Sequence, residues 1–111
     1  MTPITYDDFA KVDIRVGRIV HVADFPKAKK PAYQLRIDFG ELGVKSSSAQ
    51  ITKYYDTTDQ VGKLVLAVVN FPPRQIANFF SEVLTLGVVL GDGDIVLVHP
   101  EREVPLGSRI G

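Results

Sequence analysis

The chain has 111 residues, 45% of them apolar, no Cys, and 13 Lys/Arg against 13 Asp/Glu. That is one domain, large enough to bury about two-thirds of its unfolded surface without a disulfide or a Cys-held metal. Zero net charge argues against general coating of nucleic acid, whose non-specific affinity comes from cationic contacts to phosphate.

The start, Met1 to Asp8, is acidic and lacks the basic and apolar regions of a signal peptide. No apolar run reaches the roughly 20 residues of a membrane span. A soluble, cytoplasmic protein with no membrane insertion is expected.

Residues 1–11 hold a short helical turn over 5–11, with Thr5 as cap and Asp8 three residues in. Residues 12–24 read as a strand with Val12, Ile14, Val16, Val20 and Val22 on one face. Gly17 inside it suggests a bulge or bend. Phe25 to Pro31 is a loop. Residues 33–39 alternate without error: Tyr33, Leu35, Ile37 and Phe39 inward, Gln34, Arg36 and Asp38 outward. Gly40 to Gly43 turns into a third strand, Val44 to Ser48.

Ala49 to Tyr55 fits neither period and is expected as a short helix or irregular crossing. Lys63 to Val69 is a fourth, apolar strand. Val83 to Leu90 is a fifth, turned back at Asp92-Gly93-Asp94 through Ile95 to Val98. Residues 100–111 form an extended tail. Strands this short, with one brief helical crossing after the third, outline an all-β OB-fold, a five-stranded Greek-key barrel with short helical elements, spanning 1–111 as a single domain. A sandwich of about seven strands fits less well.

Between the fourth and fifth strands lies Asn70-Phe71-Pro72-Pro73-Arg74-Gln75-Ile76-Ala77-Asn78-Phe79-Phe80. Two prolines force the chain out of the sheet. Phe71, Arg74, Asn78, Phe79 and Phe80 then follow on a loop, the equipment of a recognition surface. The charges are uneven too. Residues 1–55 carry nine Lys/Arg against six Asp/Glu, net +3, and the remainder four against seven, net −3. The excess concentrates at Lys27, Lys29, Lys30, Arg36, Lys45 and Lys53, candidates for holding RNA phosphate or another anion. OB-folds bind through the second and third strands and the loops joining strands 1–2 and 4–5. Here those loops are Lys27-Ala28-Lys29-Lys30 and the Phe/Pro/Arg segment.

Asp13-Ile14-Arg15-Val16-Gly17-Arg18-Ile19, Ile37-Asp38-Phe39-Gly40 and Val68-Val69-Asn70-Phe71-Pro72-Pro73-Arg74 resemble the tRNA-binding-domain family of OB-folds. Ser47-Ser48-Ala49-Gln50-Ile51-Thr52, Asn70 to Arg74 and Ser81-Glu82-Val83-Leu84 look like its CsaA branch, the bacterial export-related chaperones. The tRNA-binding members carry Ser-Glu-Gly-Met where Ser81-Glu82-Val83-Leu84 stands here. The resemblance implies a homodimer that binds unfolded or precursor polypeptides and the secretion apparatus, with tRNA as the alternative ligand.

No catalytic constellation emerges. His21 and His99 have no Cys, Ser elbow or paired carboxylate at useful spacing, so neither an enzyme nor a cofactor is expected. In the chaperone reading Phe71, Phe79 and Phe80 receive apolar side chains while Arg74, Asn78, Ser48 and Gln50 hydrogen-bond an extended backbone. In the RNA reading the rings stack bases. Arg74 either serves a ligand or pairs with Glu82.

Overall fold

Strand β2 (Tyr33–Asp38) is where alternation in the sequence becomes a core. In the computed structural model, which describes residues 1–111, Leu35, Ile37 and the following Phe39 are fully buried and Arg36 faces out. β2 pairs antiparallel with β1 (Ile14–Asp24) on one side and β3 (Val44–Ala49) on the other. β4 (Leu64–Val68) pairs with β1, and β7 (Leu84–Thr85) with β4.

Hydrogen bonds from the β7 side to β3 then bring the sheet round on itself. Glu82 N and Val83 N donate to Ser46 O at 2.9 and 3.2 Å, and the Ser47 and Thr85 hydroxyls meet at 2.8 Å. The result is the expected all-β, OB-like, nearly closed five-stranded antiparallel barrel.

Curling requires β1 to bend, and the bend lies away from Gly17. The register shifts between Ile19 and His21. That inserts one residue and flips the alternation, so Ile19 and Val22 both point into the core while Val20 between them is exposed. Gly17 meets a different need: a Cβ there would lie 2.7 Å from the Phe39 ring, so only glycine lets β2 pass this close.

Of the short helix and the irregular crossing expected over Ala49 to Tyr55 the second is found, and one further expectation, the single strand 83–90, is corrected. Residues 50–63 form turns and no helix. The Asp56 carboxylate accepts from Thr58 N at 2.9 Å and Asp59 N at 2.8 Å, closing a local turn. Ile51 is nevertheless buried, and Tyr33 Oη donates to Tyr55 O at 2.7 Å, tying the crossing to the core. The run 83–90 is broken: after β7 the chain starts a separate hairpin of β8 (Gly87–Val89) and β9 (Ile95–Leu97) about the Asp92-Gly93-Asp94 turn.

At the N-terminus, α1 (Tyr6–Ala10) carries the expected Thr5/Asp8 capping box. The tail lies extended along β1, with Val16 N donating to Ser108 O at 3.0 Å and Ile110 N to Ile14 O at 2.9 Å.

Candidate functional site

Where β4 ends, Asn70 fixes the direction of exit. Its Oδ1 accepts from Asp13 N at 3.0 Å and its Nδ2 donates to Lys11 O at 2.7 Å. Pro72 and Pro73 carry the chain away from the sheet. What was expected as an open loop is then a hairpin of β5 (Arg74–Ile76) and β6 (Phe79–Ser81), turning at Ala77-Asn78 with Ala77 at φ 53°. Strand alternation sorts its side chains: Arg74, Ile76, Phe79 and Ser81 share one face, Gln75 and Phe80 the other.

The hairpin is pinned to β3. Ser48 N donates to Ser81 Oγ at 2.9 Å, and the Ser46 hydroxyl lies 2.6 Å from Phe80 O and 2.9 Å from Glu82 Oε1. Ser46 N also donates to Glu82 at 3.0 Å. That backbone donor, helped by the hydroxyl, Lys45 and Arg36, holds the Glu82 carboxyl below the ordinary carboxylate range although partial burial pushes the other way. Glu82 thus serves β3, and Arg74 forms no ion pair with it.

Two grooves flank the pinned hairpin. The first, of about 510 Å³, runs between the Lys27-Ala28-Lys29-Lys30 loop and residues Arg74 to Ala77, over Ser48 and Gln50. No carboxylate lines it. The second, of about 400 Å³, is walled by Phe71, Pro72, Ile76, Val83 and Leu84, with Glu82 and Ser81 at its edge. Both include Ser48, Arg74 and Ile76, so cationic and apolar surface meet at one guanidinium. Of the cations, Lys11, Arg15, Arg18, Lys53, Arg102 and Arg109 are in ion pairs; Lys27, Lys29, Lys30 and Arg74 at the groove are in none, as are Arg36, Lys45 and Lys63.

The structure therefore gathers Lys27, Lys29, Lys30, Ser48, Gln50, Arg74 and Phe71 about one place. The other candidates lie elsewhere. Phe79 turns inward, edge-on to Phe25 with centroids 5.3 Å apart. Phe80 is 56% exposed on the opposite face of the hairpin. Asn78 occupies the turn tip, outside both grooves. Arg36 and Lys45 sit by Glu82. Lys53 is held between Asp92 and Asp94 at 3.3 and 2.7 Å, which raises its ammonium above the ordinary lysine range. Sequence reasoning passed over Gln75, Ile76 and Leu84; the alternation Arg74-Gln75-Ile76, mirrored by Phe79-Phe80-Ser81, was the available sign of a hairpin. What this arrangement offers chemically is binding: unspent positive charge, an apolar wall and hydrogen-bonding side chains.

Comparison with known proteins agrees with this fold. Residues 14–109 match the family model described as "Putative tRNA binding domain". The methionine–tRNA ligase of Pyrococcus abyssi is 34% identical over 108 residues, covering 96% of this chain but only 14% of that enzyme. The crystal structure of the chaperone CsaA from Bacillus anthracis has a TM-score of 0.95 and 49% identity, covering 99% of this chain and 100% of that one. The CsaA chaperone from Picrophilus torridus gives 0.91 and 55%, covering 98% and 100%. With the family model matching almost the entire barrel, the chain belongs to the tRNA-binding-domain family and is similar to its CsaA chaperones.

Proposed function

We propose that this protein is a non-enzymatic binding module that captures unfolded or precursor polypeptide and works as a homodimer. The observation that carries this reading is the meeting of the apolar and cationic grooves at Arg74, Ser48 and Ile76. An extended polypeptide presents apolar side chains, backbone hydrogen-bonding groups and charges within a few residues, and this site offers a counterpart to each. Likeness to solved CsaA chaperones supports the same assignment.

The tRNA reading draws on the family match and on four cations without internal partners. Against it, OB-folds stack bases on rings of their second and third strands. The outward residues there are Gln34, Arg36 and Asp38, facing Ser48, Ser46 and Val44, with no ring among them. Support for the dimer comes from the resemblance and from Val88 and its cross-strand neighbour Val96, which are exposed on a small hairpin.

Titrations of an unfolded precursor and of tRNA, each at low and physiological salt, test the assignment. Polypeptide should bind with weak salt dependence. Binding of tRNA alone, falling steeply with salt, would replace this reading with the other. A monomeric mass in sedimentation at micromolar concentration would reject the dimer.

A further inference from the structure

Four consecutive residues, Arg74 to Ala77, border the cationic groove. Side chains on a strand point alternately to opposite faces, so a consecutive run borders one groove only where the flank of the strand faces it. β5 is paired on one flank alone, to β6. We propose that the bound polypeptide is captured as an added strand along the free flank of β5, hydrogen-bonded to the backbone of Gln75. This rests on the polypeptide reading above and specifies how that site holds its ligand.

The backbone geometry determines which groups are available. In an antiparallel pair closed by a two-residue turn, residues beside the turn exchange both hydrogen bonds and the next pair exchanges none. Ile76 and Phe79 flank the turn; Gln75 and Phe80 are the next pair. Phe80 confirms the direction on its side, since its carbonyl points out of the hairpin to the Ser46 hydroxyl. By the same alternation the N–H and C=O of Gln75 point out on the opposite flank, toward the groove, and neither has a partner outside the hairpin. The Gln75 side chain is engaged along its own strand, donating from Nε2 to Ala77 O at 3.1 Å.

Pro73 has no N–H, so the ladder cannot extend toward the start of β5. The recognised stretch is short, with one residue exchanging two bonds with Gln75. Its alternate side chains would face the Lys27–Lys30 loop and the shared Ser48–Arg74–Ile76 surface. Main-chain bonds of this kind carry affinity without demanding a sequence, as in other strand-addition complexes. That suits a protein whose clients share only being unfolded.

The test uses the full chain with reduced, carboxymethylated lactalbumin as the unfolded probe, then the tightest of a set of short overlapping peptides from it. Gln75→Pro removes the outward N–H and no bond within the hairpin, a substitution edge strands accept; Gln75→Ala keeps the backbone and removes only the side chain. The expected result is about a tenfold loss for Gln75→Pro and little change for Gln75→Ala, with both variants melting like the parent. Because Gln75→Pro could disturb the turn, the peptide is also scanned by N-methylation against the unaltered protein. Loss confined to alternate peptide positions supports strand addition. A flat scan, with peptide still bound, overturns it and leaves the polypeptide reading standing. Absence of any polypeptide binding overturns both. Loss of self-association in Gln75→Pro with peptide affinity intact would assign the flank to a second copy of this chain and also overturn the proposal.

Discussion

Lys53 and Lys29 are both exposed lysines in loops of one barrel, yet they stand in opposite electrostatic conditions. Lys53 reaches from the crossing after β3 to the β8–β9 turn and is claimed there by Asp92 and Asp94. Arg18 is likewise spent on Glu103 at 2.7 Å and Arg15 on Asp13 at 2.6 Å. Across the molecule Lys27, Lys29, Lys30 and Arg74 line one groove with no carboxylate among them. Arg15, Arg18 and Lys53 are consumed within the molecule, whereas the four cations at the groove are left for something outside. What marks the site is the gathering of unpaired cations at one groove without a carboxylate, rather than residue type.

That contrast exists only while the barrel stands, and the largest expected effect is to remove the barrel itself. Phe39 is fully buried, with Gly17 close against its ring. Phe39→Ala should cost about 3–5 kcal/mol, the loss for truncating a buried aromatic, and should abolish groove and scaffold together in urea unfolding. Retention of near-parental stability would mean that this end of the core repacks.

Glu82 stands at the border of the two regions, since it closes the barrel onto β3 and walls the apolar groove. Glu82→Gln exchanges a charge-assisted acceptor for a neutral one and should cost about 1–3 kcal/mol near neutral pH. The folded carboxyl titrates below its ordinary range. Its contribution is therefore present above the unfolded pKa and lost as pH falls through the folded value. The gap between parent and Glu82→Gln should consequently narrow as pH falls below the ordinary glutamate range. A gap that holds constant in acid would show that shape, and not charge, makes the seam.

How much of this was legible depends on where each residue's partner lies. Tyr33 to Phe39 was readable because strand alternation is local and both its neighbours in the sheet agree with it. The bulge after Ile19 was hidden: Gly17 advertises a bend, whereas the extra residue is the unremarkable Val20. The β5–β6 hairpin was masked because Ala77-Asn78 lacks the glycine that usually marks a two-residue turn, and the prolines before it read as loop. Phe79 looked like part of a binding set until strand pairing turned it toward Phe25. Convergence of the Lys27–Lys30 and Arg74 segments followed from barrel topology. The capture of Lys53 did not, because Asp92 is 39 residues further along the chain.

Smaller effects come from the cations themselves, and they sharpen the contrast most. Lys53→Met frees the β8–β9 turn from the crossing and should lower the melting temperature less than Glu82→Gln. Salt screens exposed pairs, so the difference from the parent should vanish at molar ionic strength; a difference unaffected by salt would place Lys53's role in packing. Replacing Lys27, Lys29, Lys30 and Arg74 together by Gln should leave stability unchanged or slightly raised. These side chains have no internal partners to lose, surface changes of this kind stay within about 0.5 kcal/mol each, and like charges gathered at one groove repel. The same variant should lose ligand. If tRNA binds, the slope of log affinity against log salt should flatten by up to about four phosphates' worth of counterion release. If polypeptide binds, the loss should be greatest for segments bearing carboxylates. A variant that melts lower and still binds fully would mean that these four cations belong to the scaffold after all, and the distinction between spent and unspent charge would fail at the place it was meant to explain.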